Sequence, residues 1–224
     1  MAKRSEAVRG RLSRDVIVAC AIALADQEGL EAVTIRRLAQ EQGVTPMAMY
    51  WHFSDKESLL DGIAESLIAA VKLPEPSDQS WDAQMRGILA AFLEAIRPHP
   101  AVAGLVLRRI LTSEPGLALA ERALGLLRSA GFSSEQAAEA GSFVLCAVIT
   151  LVTSRPGRSG RAVEDEAHEQ MLREKRAALE VLSPARYPNV VAAAPTLVGG
   201  ADEDEYYDLN LDLLVRGLRG VQPD

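Results

Sequence analysis

The chain is short of cysteine, of aromatics and of long apolar runs, and each shortage removes a class of protein. Its two cysteines, Cys20 and Cys146, stand in apolar helical patterns without a CxxC spacing. A disulfide scaffold and a cysteine metal site are therefore set aside, and both residues are expected to be small buried hydrophobes. The longest uncharged stretches, residues 140–154 and 187–201, are 15 residues each, below the roughly 20 that a bilayer-spanning helix needs. No membrane helix is expected. The opening MAKRSEAVRGRLSR is basic but is not followed by an apolar segment with a cleavage site, so a cytoplasmic location is expected. Also missing are a glycine-rich phosphate loop, a serine or cysteine nucleophile with a base in view, and alternating apolar segments joined by hairpin turns.

Positive charge is scarce too: 24 Lys and Arg stand against 31 Asp and Glu, for a net charge of -7. That sum argues against nucleic acid, whose binding is dominated by cationic contacts, but the distribution argues otherwise. Residues 1–14 hold five basic residues and one acidic, residues 1–60 hold eight of each, and residues 61–224 hold 16 against 23. A basic arm and a neutral first quarter precede an acidic remainder.

What the chain has in quantity is the 3.6-residue period, which makes the expected fold all-α. Helices are expected over residues 13–27, 34–43, 45–52 and 54–72 in the first third, the last opened by a capping box of Ser54 and Glu57. Further helices are expected over residues 81–96, 100–111, 116–129, 134–152, 162–182 and 203–218. Residues 153–161 read as a loop, and so do residues 187–200, which could pass for a strand but have no partner strand. The Pro- and Ser-rich residues 73–80 divide the chain into domains over residues 1–72 and 73–224.

The segment TPMAMYWHF, residues 45–53, carries the functional reading. Thr45 is an N-cap and Pro46 the first helical position, where a missing N–H costs nothing. With the preceding helix, buried Ala39 and the Gln42-Gly43-Val44 turn, it has the spacing of a helix-turn-helix. Over about residues 13–66 the chain resembles the DNA-binding domain of the TetR family of transcriptional repressors, most clearly in GLEAVTIRRLAQEQGVTPMAMYWHFSDKESLLDGIAE. The remainder resembles the tetracycline-repressor-like branch, in SAGFSSEQA and DLNLDLLVRGL.

The resemblance implies a three-helix DNA-binding domain, followed by a helical domain for ligand binding and dimerisation. The partners implied are double-stranded operator DNA, a small-molecule effector and a second copy of the chain. Thr34, Thr45, Tyr50, His52 and Lys56 would face the phosphate backbone, and Arg36 would lie over the groove with the geometry to bond a guanine edge. Met47 and Ala48, beside Pro46 at the reading edge, suit apolar contact with thymine methyls. Val44, Met49 and Phe53 are expected to pack inward, with Trp51 mostly structural; Arg37 is read as a solvated helix face. Arg9, Arg11 and Arg14 could form an arm along the backbone, or the arm could have no role.

Two copies are expected to pair through apolar faces. On residues 134–152 that face is Gly141, Leu145, Val148, Ile149 and Val152; on residues 203–218 it is Tyr206, Leu213, Leu214, Gly217 and Leu218. Candidate effector-lining residues are Met85, Leu89, Phe92 and His99, then Leu105, Arg108, Phe143 and Ala147, although most of these could equally be plain core. His99 and Arg108 are the polar anchors, which hints at a hydrophobic, anionic or polyketide-like effector. Tetracycline repressors proper hold a magnesium–drug chelate with a histidine where this chain has Leu107-Arg108-Arg109-Ile110-Leu111, so neither that chelate nor any other metal or cofactor is expected.

An enzyme reading rests on Glu164-Asp165-Glu166-Ala167-His168, a carboxylate three residues before a histidine as in di-iron bundles. No second copy accompanies it, since Ile96 and Met49 precede His99 and His52. The chain is read as a non-enzyme, and a protein-binding adaptor would leave the Thr34 to Lys56 constellation unexplained.

Overall fold

The structure, a computed structural model, describes residues 12–154, 166–200 and 202–221. Among these residues are ten α-helices, two short 3-10 turns and no strand. Helix α1 (Arg14–Glu28) is capped by the Ser13 hydroxyl, which accepts from the Val16 amide, and is stopped by Gly29 at φ +89°, a conformation open to glycine at little cost. A 3-10 turn, Leu30–Ala32, leads to α2 (Ile35–Glu41), then Gly43 turns the chain at φ +62° into α3 (Pro46–Tyr50) and α4 (Lys56–Ala69).

The capping box of α4 sits one residue later than expected. Asp55 is the cap: its carboxylate accepts from the Ser58 amide at 2.7 Å, and the Ser58 hydroxyl accepts from the Asp55 amide at 3.2 Å. A carboxylate is a stronger acceptor than the Ser54 hydroxyl and is favoured at the positive end of a helix. The Ser58 amide holds the Asp55 carboxyl below its ordinary value of 3.8.

Helices α5 (Trp81–Ile96), α6 (Glu114–Ser129), α7 (Ser134–Thr153), α8 (Glu166–Glu180), α9 (Pro188–Gly199) and α10 (Glu203–Gly220) form the rest. Two expectations are corrected. Residues 100–111 form only a 3-10 turn, Ala103–Arg108, which no side chain caps. Residues 187–200 are neither loop nor strand: Pro188 opens α9, Gly200 stops it at φ +76°, and Pro195 lies within it. A run of Val and Ala has no period that separates buried strand from helix.

One apolar core cluster extends from α1 to α10, so the first four helices are continuous with the rest through their packing. Helix α4 lies against α1 on one side and against the turn Ala103–Arg108 on another, while α10 packs on α5 and α7. Helix α7, at 20 residues, is long and apolar enough to cross a membrane by length and composition, contrary to expectation. Its Val144, Val148, Ile149 and Val152 are buried in the chain's own core.

Candidate nucleic-acid interface and ligand cavity

Helix α3 is five residues long, far below the length at which a helix is stable alone. It is held from one side. Met49 and Phe53 are 0% and 1% exposed, and the Phe53 amide donates to the Met49 carbonyl at 3.0 Å, closing the helix end. The Phe53 ring sits over Gly62 of α4, so close that a Cβ there would lie 2.9 Å from Cε1. The Arg14 guanidinium covers the ring at 4.4 Å from its centroid.

The other side of α3 is bare. Met47 is 68% exposed, Tyr50 50% and Trp51 85%, and Thr45, Pro46 and Arg36 are exposed beside them. Trp51 is thereby corrected from packing residue to surface residue, because the inward positions are taken by Met49 and Phe53. Arg36 has no ion pair among the described residues, whereas Arg37 is held by Glu28 at 2.8 Å and Glu41 at 2.7 Å. Thr34 spends its hydroxyl on the Arg37 amide at 3.1 Å, while Thr45 makes no such capping bond. Ala48, His52 and Lys56 are half-buried around the same helix.

Arg14 is not part of a free arm: besides covering Phe53 it donates to the His52 carbonyl at 3.5 Å and lies 3.9 Å from Glu65. Arg9 and Arg11 lie outside the described residues, as do the side chains of the Glu164 to His168 cluster.

An apolar cavity of about 180 Å³ lies between α5, α6, α7 and the residues after the 3-10 turn. Ile88, Leu89 and Phe92 come from α5, Ile110 and Leu111 from the segment after the turn, and Leu119, Ala120, Ala123 and Leu124 from α6. Helix α7 adds Ala138, Gly141, Ser142, Val144 and Leu145, of which Ala138 and Ser142 are exposed at the mouth. Leu89 and Phe92 alone of the expected lining residues are there. Met85 is fully buried in the core and Leu105 packs against that core half-buried.

The two expected polar anchors face elsewhere. Arg108 pairs with Glu57 and, at 3.4 Å, with Asp61; Arg109 lies 2.5 Å from Glu65 and 3.8 Å from Asp61. These three carboxylates, spaced four residues apart, form one stripe along α4 (i, i+4, i+8). His99 Nδ1 lies 2.7 Å from the carboxylate of Asp26 on α1. Both expected anchors therefore tie the first four helices to the rest. The stripe was visible as KESLLDGIAE; its partners, more than 40 residues away, were not.

On α7 two expectations change places. Phe143, 63% exposed, and Ala147 line an open groove between α7 and α10, together with Cys146, Thr150, Leu213, Leu214, Gly217 and Leu218. Gly141 and Leu145 line the cavity instead, and Val148, Ile149 and Val152 are core. Positions two apart lie about 200° apart around a helix, and α7 is apolar all round, so periodicity alone assigned its stripes to the wrong neighbours. Cys146, expected to be buried, is exposed on that groove, and Cys20 is half-buried. Tyr206 is half-buried, its ring 5.3 Å from that of Tyr207, edge to face.

A short helix, packed on one side and bare on the other and joined to the helix before it by a glycine turn, has the geometry of a helix-turn-helix. Residues 17–63 match the family profile described as bacterial regulatory proteins, tetR family, and residues 73–221 match the tetracyclin repressor-like C-terminal domain. The chain belongs to the TetR family of transcriptional regulators. It is 28% identical over 207 residues to an HTH-type transcriptional regulator of Saccharopolyspora erythraea, covering 92% of this chain and 84% of that protein. It is 26% identical to the class C tetracycline repressor protein of Escherichia coli, covering 95% of this chain and 93% of the repressor. The solved structure of the Streptomyces coelicolor TetR family protein ActR in complex with actinorhodin is similar at TM-score 0.75 and 27% identity, covering 95% of this chain and 99% of ActR.

Proposed function

We propose that the chain is a repressor that binds a palindromic operator as a homodimer and is released by a small, largely hydrophobic effector. Residues 1–72 serve as the DNA-binding head and residues 73–224 as the effector-binding and dimerisation body. The observation that carries this reading is the division of α3: one side sealed by Met49 and Phe53, the other offering Met47, Tyr50 and Trp51 to solvent. A recognition helix needs such a division, because it must be rigid to read base edges and bare to reach them. Thr45, Tyr50, His52 and Lys56 anchor phosphates, with Thr34 contributing at the end of α2. Met47, Ala48 and Trp51 present apolar surface to thymine methyls, and Arg36 bonds a guanine edge.

One head makes few phosphate contacts, so two heads about one helical turn apart, or a multiple of it, are required. The groove between α7 and α10, lined by Phe143, Ala147, Leu213 and Leu214, is the self-complementary face that supplies the pair. The effector site is the cavity between α5, α6 and α7, in keeping with the ligand-bound form of ActR. An occupant pressing on Ile110 and Leu111 displaces the turn that carries Arg108 and Arg109. Those arginines pull α4 with them, and the two heads no longer fit successive grooves.

The test is a footprint on genomic DNA, followed by anisotropy titration of the protected duplex. Arg36→Ala should weaken binding by about 1–3 kcal/mol, roughly five- to 150-fold, and relax preference at a single base pair of each half-site. Affinity unchanged on every half-site variant would remove Arg36 from the reading surface. Failure to bind any genomic duplex would remove the reading as a whole.

A further inference from the structure

The cavity between α5, α6 and α7 is unlike the anion-accepting site that the sequence suggested. Its walls are aliphatic or aromatic apart from one hydroxyl, Ser142, which stands at the exposed mouth. No ionisable side chain lines it. Of the nearby cations, Arg86 pairs with Asp208 and Asp212, Arg108 with Glu57 and Asp61, and Arg109 with Glu65; Arg122 of α6, whose buried Nε has no partner, donates to the Gln84 side chain at 3.4 Å and is not among the lining residues. A carboxylate or ammonium placed among Leu89, Phe92 and Leu119 would lose its hydration and meet no partner, a cost that excludes it from such a site. Size sets the other limit. An apolar cavity of roughly 150 Å³ lined by Leu, Ile and Phe stays dry and takes benzene, and this one measures about 180 Å³.

Resting on the effector reading above, we propose that the ligand is an uncharged, compact molecule of one or two rings, carrying a single hydroxyl or equivalent group that meets Ser142 at the mouth. Its apolar body fills the space between Phe92 and Leu124. The hydroxyl group stays at the solvent boundary, where its hydrogen bond is made without burying a second polar group.

The probes are naphthalene, 2-naphthol and the carboxylate 2-naphthoate, each titrated at pH 7 into the full-length protein and followed by calorimetry and by melting temperature at fixed protein concentration. 2-Naphthol should bind at least roughly tenfold tighter than 2-naphthoate, since a carboxylate at the mouth loses part of its hydration against the apolar rim and meets no cation among the lining residues. It should exceed naphthalene by roughly three- to tenfold, the worth of one hydrogen bond, and Ser142→Ala should abolish that second margin while leaving naphthalene unchanged. Ala138→Phe, at an exposed position lining the cavity, should weaken all neutral probes while leaving the ligand-free melting temperature within about 2 °C of the parent. Equal or tighter binding of 2-naphthoate overturns the proposal, as does undiminished binding to the Ala138→Phe variant or the absence of binding by every probe. Operator binding by the ligand-free protein is measured separately by anisotropy. Its loss would overturn the repressor reading and leave the ligand result standing, whereas intact operator binding with no neutral-probe binding would overturn the ligand class alone.

Discussion

Phe53→Ala should lower the stability of the chain by about 3–5 kcal/mol, the range for deleting a fully buried aromatic ring. For a chain of this length the melting temperature should fall by on the order of 10 °C at fixed protein concentration. The greater consequence should be for DNA. The ring joins elements around the end of α3: it seats on Gly62 of α4 and lies under the Arg14 guanidinium of α1, one residue beyond the His52 that follows α3 and at the point where the Phe53 amide closes that helix on the Met49 carbonyl. Without it α3 has Met49 as its only fully buried side chain and is too short to keep its shape. Operator affinity at a temperature where the protein remains folded should therefore drop by roughly tenfold or more, since misplacing α3 removes several base and phosphate contacts together. Circular dichroism and anisotropy on the same sample check both arms. A variant that loses stability but keeps its affinity would show that α3 is positioned by something other than this ring.

Gly116→Ala should be nearly as costly, for the opposite reason. A methyl group at Gly116 would stand 2.3 Å from the Ile110 carbonyl oxygen and 2.8 Å from its carbonyl carbon and Cα. Those neighbours are backbone and have no rotamer by which to withdraw. The segment is also pinned from inside: the buried Ser113 hydroxyl donates to the Arg109 carbonyl at 2.9 Å and accepts from the Gly116 amide at 3.3 Å. Overpacking costs about 1–3 kcal/mol where side chains can adjust, and this site should lie at or above the upper end. The melting temperature should fall by roughly 6–12 °C. Because Arg108, Arg109, Ile110 and Leu111 ride on that segment, the variant should also bind cavity ligands less tightly and show faster amide exchange in α4. A melting temperature within about 1 °C of the parent would mean that the backbone at Ile110 relaxes freely, against the hydrogen bonds of Ser113.

The first three helices were legible because their signals are local. Ser13, Thr34 and Thr45 stand where the helices start, Pro46 follows its cap, and Gly29 and Gly43 turn the chain at positive φ. What was illegible depends on neighbours distant in sequence. His99 was assigned to a cavity because nothing near it in the chain announces Asp26, and Arg108 because Glu57 and Asp61 are more than 40 residues away. Helix α7 presents small and apolar residues on every side, so the choice between cavity, core and groove was made by α6 and α10, which the pattern of α7 does not encode. Helix α9 was missed because its Val and Ala run has no distinguishing period and Pro195 argues against a helix locally, while the burial of Ala194 and Val198 overrides both. Trp51 was read as mostly structural, although the inward positions of so short a helix were already filled by Met49 and Phe53.

The division of α3 bears on how such a protein can change over generations. Met47 and Ala48 are outside the sealed core, whereas Met49 and Phe53 are within it. If Met47 and Ala48 read the operator as proposed, substitutions there would alter which DNA is recognised at little risk to folding, and duplicated copies of the gene could drift to new operators without first acquiring a compensating stabilising change.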